Sequence, residues 1–143
     1  MAYWLMKSEP DAWSWESQVK KGAKGEAWSG VRNHQAKLNL MKMKKGDRAF
    51  FFHSNIGKEV VGVVEVIREH YGDPSAKPGE PWVVVDVKAL APMPQPVTLA
   101  AARAEPGLKN MVLVNNSRLS VQPVTAAEWK LVCAMAQTSP DGD

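Results

Sequence analysis

Hydrophobic positions along this chain fall into short runs with two different periods. Tyr3-Trp4-Leu5-Met6 predicts an opening strand over residues 2–7. Ser8-Glu9-Pro10-Asp11 breaks it, because proline removes a ladder donor and restricts the residue before it. Ser14 is placed to cap a short helix, Trp15 to Lys21, with Gly22 to end it, and a loop from Ala23 to Gly30 carries Trp28. Ala36, Leu40 and Met43 recur at i, i+4, i+7 and predict a second helix starting near Asn33, followed by a turn at Gly46-Asp47. The period then changes. Arg48 to Ser54, with Phe50-Phe51-Phe52, and the valine-rich Glu59 to Glu69 read as strands. Pro81 to Ala91 alternates with period two, which predicts a strand with one buried face.

Gly72-Asp73-Pro74 and Pro78-Gly79-Glu80-Pro81 predict an exposed loop, and Pro92, Pro94 and Pro96 an extended connector. Thr98 is placed to cap a short alanine-rich helix that stops before Pro106-Gly107, and Ser117 to Val124 reads as the last strand. Thr125-Ala126-Ala127-Glu128 fits a capping box, with Val124 and Trp129 as its hydrophobic staple, so a helix closes the chain. Five or six short strands with small helices at their edges predict an α+β domain built on a curled sheet or small barrel. A single domain is expected over residues 1–136, with a polar flexible tail over 137–143.

Composition narrows the function classes. With 143 residues the chain is long enough for one core without a metal or disulfide staple, and its one cysteine, Cys133, lies in an apolar stretch at helical spacing. A formal charge of +3 is compatible with a polyanionic partner without demanding one. Six tryptophans against three phenylalanines and two tyrosines supply broad apolar faces suited to cores and to stacking alike. No basic start followed by an apolar run opens the chain, and no run approaches a membrane span, so a cytoplasmic address is expected, or a nuclear one in a eukaryote.

Catalytic and metal chemistry find little support. His34, His53 and His70 show no metal-ligand spacing with one another or with Cys133, no serine sits in a nucleophile-elbow pattern, and no glycine-rich phosphate loop follows a strand. Neither a metal nor a cofactor is expected. The informative segments are polar groups beside strand ends and tryptophans: Lys7-Ser8-Glu9-Pro10, Trp28-Ser29-Gly30-Val31-Arg32-Asn33, Phe50-Phe51-Phe52-His53-Ser54-Asn55 and Ser117-Arg118-Leu119-Ser120-Val121.

Those four segments, in that order, resemble the EVE domain, a PUA-like family that includes thymocyte nuclear protein and bacterial relatives, over Tyr3 to about Met135. The family is similar in turn to YTH domains, which read methylated adenine in RNA through a Lys-Ser pair, a Trp-Ser pair and a glycine-containing strand, here Gly62-Val63-Val64-Glu65. The resemblance implies a PUA-like fold and a nucleic-acid partner, RNA or DNA, carrying a modified base. It implies that Trp28 is a stacking wall, worth about 1–3 kcal/mol per base. Ser8 and Ser29 would grip the base edge, with Asn33, His53 and Ser54 as further pocket-lining groups, and Lys7, Arg32 and Arg118 would meet flanking phosphates.

The other five tryptophans are expected to pack in the core or at its edges, although Trp82, at the start of a strand, is placed to supply a second wall. Arg32 has an equal structural reading as a pin for its own loop, and Arg118 as a partner for a strand carboxylate. Two alternatives stand beside a non-catalytic reader that takes up a modified base in an aromatic-lined pocket. One is an enzyme acting on a modified nucleoside or small heterocycle with His53 as acid or base. The other is a small-ligand or protein-interaction module.

Overall fold

A computed structural model describes residues 1–116 and 118–138. The expected flexible tail therefore lies mostly outside the described residues, as does Ser117. One mixed sheet of six strands organises the chain: β1 (Tyr3–Ser8), β2 (Glu26–Ala27), β3 (Arg48–His53), β4 (Glu59–Gly72), β5 (Val83–Thr98) and β6 (Val121–Val124). Their spatial order is β2-β5-β4-β3-β1-β6. The sheet is open, with β2 and β6 at its edges, so the fold takes the sheet form of the expected architecture and does not close as a barrel. Only β1 and β3 run parallel, from Tyr3 opposite Arg48 to Ser8 opposite His53; every other pair is antiparallel.

Among the described residues five short helices flank the sheet: α1 (Trp15–Lys20), α2 (His34–Lys42), α3 (Leu99–Ala104), α4 (Val112–Asn115) and α5 (Ala126–Met135). The caps follow from side-chain chemistry at their starts. Ser14 Oγ, Asn33 Oδ1 and Thr98 Oγ1 accept the N–H of Ser17, Ala36 and Ala101, each satisfying a donor the first helical turn leaves unpaired. Thr125 and Glu128 exchange both capping-box bonds at the start of α5. No helix among the described residues is long and apolar enough to cross a membrane.

Two apolar clusters cover the two faces of the sheet. On one, Trp129 of α5 stacks between Tyr3 and Phe50 at ring-centroid distances of 4.5 and 3.9 Å. On the other, Ala36, Leu40 and Met43 of the predicted stripe are buried with Phe51, Val64 and Val85. Trp15 lies against β4 at Gly62, where an added Cβ would sit 2.4 Å from the indole ring. The close approach is what the glycine supplies. Gly62→Ala is expected to push Trp15 and the start of α1 off the sheet and to cost about 1–3 kcal/mol, read as a shift in the chemical-denaturation midpoint; an unchanged midpoint refutes the close fit.

Several expected boundaries move. The proline-rich segment 92–96 is not a connector: β5 continues through it, pairing Pro92 with Gly62 and Val97 with Val60. Between these two pairs four residues of β5 stand against one of β4, and the extra residues bulge out. β2 meets β5 at Asp86 and Val87, and Trp28 N–H continues that contact to the Val85 carbonyl; residues 92–96 lie beyond it, where no second strand neighbour is present among the described residues, a setting in which a strand tolerates proline. Ala91, Met93 and Val97 still turn inward, while Pro92 and Pro94 face solvent. The expected loop over 23–30 contains β2, and Arg118–Ser120 precede the last strand instead of forming it. Asp73, expected in an exposed loop, is buried.

Candidate functional site

The parallel pairing of β1 with β3 brings the ends of two central strands together. Ser54 N–H donates to the Ser8 carbonyl at 2.9 Å, so the polar groups that follow each strand meet at one end of the sheet. A cavity of about 390 Å³ opens there, within the range of small-ligand sites. Lys7 and Ser8 from the end of β1 form one side of it, and Trp28, Ser29 and Arg32, beyond β2, form another. Trp13, from the turn before α1, also lines it, as do Glu9, Glu26 and Ser120.

Trp28 owes its place to β2. After Glu26 and Ala27 pair with Val87 and Asp86, Trp28 N–H extends the ladder to the Val85 carbonyl at 2.8 Å. Its ring meets Phe51 edge-on, with centroids 5.3 Å apart, an arrangement that fixes the plane of the indole. The residue is 7% exposed, yet it borders the cavity. Trp13 is held by its own N–H, which donates to Gln18 Oε1 at 2.9 Å, while Gln18 Nε2 donates to the Val87 carbonyl at 3.1 Å. A buried glutamine thus ties one cavity wall to the strand that carries the other.

Asp73 organises the loop after Trp28. Its carboxylate accepts from Gly30 N–H at 3.0 Å, from Arg32 Nη1 at 3.0 Å, and from Ser75 N–H and Oγ–H at 2.7 and 2.6 Å. Burial works to raise its pKa, but the bonds from Ser75, Gly30 and Arg32 outweigh it and hold the group well below the usual carboxylate range. Gly30 takes a positive φ of 85° at the turn, which glycine adopts without strain. Arg32 also donates to the Val31 carbonyl and to Ser75 Oγ, and its guanidinium lies 5.7 Å from the Trp82 ring centroid.

The predicted residues divide. Lys7, Ser8, Trp28, Ser29 and Arg32 line this cavity. Ser8 Oγ–H donates to the Trp13 carbonyl at 2.6 Å, which leaves its lone pairs to accept. Arg32 takes up the role of loop pin through Asp73. Asn33, His53 and Ser54 lie outside the lining. Asn33 is spent on the α2 cap, and His53 Nε2 accepts the Trp15 N–H at 3.0 Å, fastening α1 to the end of β3. Ser54 lines a second cavity, of about 620 Å³, on the other side of Lys7. Arg118 is exposed and borders neither cavity.

Trp13, Gln18 and Asp73 were not foreseen. Asp73 had a signal in Asp73-Pro74-Ser75, whose aspartate accepts the N–H two residues on in an Asx turn. Trp13 lies three residues beyond Pro10 and had none.

Burial lowers the pKa of His53, with Glu59 and Glu16 opposing. The folded state therefore prefers the neutral ring, and its contribution is complete above the ordinary value of about 6.5 and is lost as pH falls through the lower folded value. Between pH 7.5 and 5.5 the melting temperature is expected to fall more in the parent than in His53→Gln; equal falls refute a role for the ring.

A family model described as the EVE domain matches residues 2–135. Human thymocyte nuclear protein 1 is 35% identical over 97% of this chain and 76% of its own length. Among solved structures, a Rhodopseudomonas palustris protein superposes with a TM-score of 0.90 at 62% identity, covering 96% of this chain and 94% of the other. The human THYN1 protein in complex with DNA containing 5-methylcytosine superposes with a TM-score of 0.88 at 33% identity, covering 98% and 100%. The YTH domain of Zygosaccharomyces rouxii MRB1, in complex with N6-methyladenosine RNA, shares the fold with a TM-score of 0.58 at 18% identity, covering 94% and 86%.

Proposed function

Because the chain belongs to the EVE-domain family, we propose that it is a non-catalytic nucleic-acid-binding module that takes a modified base into the cavity bordered by Trp13 and Trp28. The observation that carries this reading is the pair of indoles held at one strand end beside the hydroxyls of Ser8, Ser29 and Ser120. An aromatic wall binds the π-face of any base; Ser8 Oγ, its proton given to the Trp13 carbonyl, can accept from the polar edge, and the Ser29 and Ser120 hydroxyls can donate or accept. The relative bound to 5-methylcytosine DNA supports a modified base as the guest.

A binding role also agrees with how the reactive groups are used. His53 Nε2 is occupied by a backbone N–H. Burial pushes the Cys133 thiol up to about 11, against a smaller lowering effect of Arg48, which keeps it protonated and unreactive.

Titration of labelled oligonucleotides tests the reading. DNA carrying 5-methylcytosine is expected to bind more tightly than its unmodified twin, by roughly 10- to 200-fold for one methyl group in a fitted notch. Arms with RNA carrying N6-methyladenosine and with single strands decide strand type and base, since extruding a base from a duplex costs a few kcal/mol. Equal affinity for every modified and unmodified pair overturns it.

A further inference from the structure

The second cavity shares Lys7 with the first but is chemically different from it. Its volume of about 620 Å³ is bordered by three cations from three separate elements: Lys7 at the end of β1, Lys58 in the β3–β4 loop and Arg103 on α3. No carboxylate is among its lining residues, whereas Glu9 and Glu26 border the first cavity. Lys58 and Arg103 are exposed, and neither is in an ion pair among the described residues.

The loop is fixed in place. Asn55 and Lys58 take positive φ values of 67° and 48°, and the Lys58 carbonyl accepts Leu99 N–H at 2.8 Å, which ties the loop to the start of α3. Ser54 and Thr98 add hydroxyls to the lining. Thr98 Oγ1 already accepts the α3 cap bond, so its O–H remains to donate. Phe52, Leu99 and Ala100 also line the cavity, with Lys7 Nζ 5.7 Å from the Phe52 ring centroid; at its rim, cations and hydroxyl donors with no acid among them match a phosphodiester.

We propose that this second cavity holds the phosphate backbone of the strand whose base enters the first, with Lys58 and Arg103 as its cationic contacts and Lys7 at the junction between the two. The inference rests on the base-binding reading of the first cavity. It extends that reading by giving the chain a direction across the protein: base beside Trp28, backbone over Lys7 and into the groove by α3. Ser54, expected to line the base pocket, belongs to this backbone site.

The test measures affinity against salt for the parent and for Lys58→Ala/Arg103→Ala, with one single-stranded oligonucleotide carrying 5-methylcytosine and its unmodified single-stranded twin. Each lost phosphate contact removes about 0.7 from the slope of log K against log salt on a single strand. The double variant is therefore expected to show a slope shallower by about 1.4, with both oligonucleotides weakened by the same factor and the melting temperature unchanged. A modification preference in the parent with an unchanged slope in the variant overturns the backbone site alone. A shallower slope in a protein with no modification preference overturns the base-reading site and leaves the backbone site standing. A parent that binds neither oligonucleotide overturns both.

Discussion

Trp28→Ala is expected to remove most of the preference for a modified base and to weaken oligonucleotide binding by roughly 5- to 150-fold, the equivalent of about 1–3 kcal/mol of lost stacking. The same change is expected to lower stability by about 3–5 kcal/mol, because a ring only 7% exposed and packed edge-on against Phe51 leaves a void when removed. Two measurements separate these effects. Chemical denaturation gives the stability loss, and titration at a temperature where the variant is fully folded gives the binding loss. Trp28→Phe keeps an aromatic face on a smaller ring, so it should recover most of the stability and part of the affinity. A folded Trp28→Ala variant that binds as tightly as the parent removes the indole from the site.

Asp73→Ala is expected to loosen the cavity wall from Trp28 to Arg32 without replacing any residue that lines it. The substitution strips partners from the N–H groups of Gly30 and Ser75, the Ser75 hydroxyl and the Arg32 guanidinium at once. Breaking a buried pair by removing one partner costs about 3–5 kcal/mol. Because the Arg32 side chain is 37% exposed and regains water, about 2–3 kcal/mol is the better expectation here. The informative readout is hydrogen exchange at Gly30, whose N–H should lose protection while that of Trp28, bonded to the Val85 carbonyl, keeps it. Protection retained at Gly30 overturns the role given to Asp73. Arg32, released from its partner, becomes available to phosphate, so the salt dependence of oligonucleotide binding should steepen while affinity for the modified base falls.

Local chemistry was the legible part of this fold. Ser14, Asn33, Thr98 and the Thr125–Glu128 pair announce their helices because a cap is a contact over three residues, and the sequence contains both ends of it. The valine-rich strands are equally plain from period and composition. What escaped depends on partners far away in the chain. Glu26 and Ala27 are a strand only because β5 offers its edge. Pro92–Pro96 are tolerated in a strand because β2 stops short of them, at Asp86 and Val87, and the Gln95 N–H between them is taken up by the Ala136 carbonyl of the segment after α5.

The site divides along the same line. Trp28 and the Lys7-Ser8 pair are identified by resemblance, and both border the first cavity. Asn33 and His53 have the right chemistry in the right neighbourhood, but a helix cap and a backbone N–H already engage them. No spacing rule reveals that competition. Trp13 and Gln18 enter through a hydrogen bond to β5 across 69 residues, which a reading of neighbouring positions does not reach.

The position of β1 has a consequence for how the molecule comes into being. Its residues are synthesised before either partner strand: they pair on one side with Arg48–His53 and on the other with Val121–Val124. Tyr3 faces Val124, 121 positions further along the sequence. A nascent polypeptide on the ribosome therefore holds its Lys7-Ser8 corner without both neighbours until Val121–Val124 have been made. Such distant pairing makes folding slow, since loop closure must precede its reward. Fragments that end at residue 120 should then lack ligand affinity even though they contain every residue of both cavities.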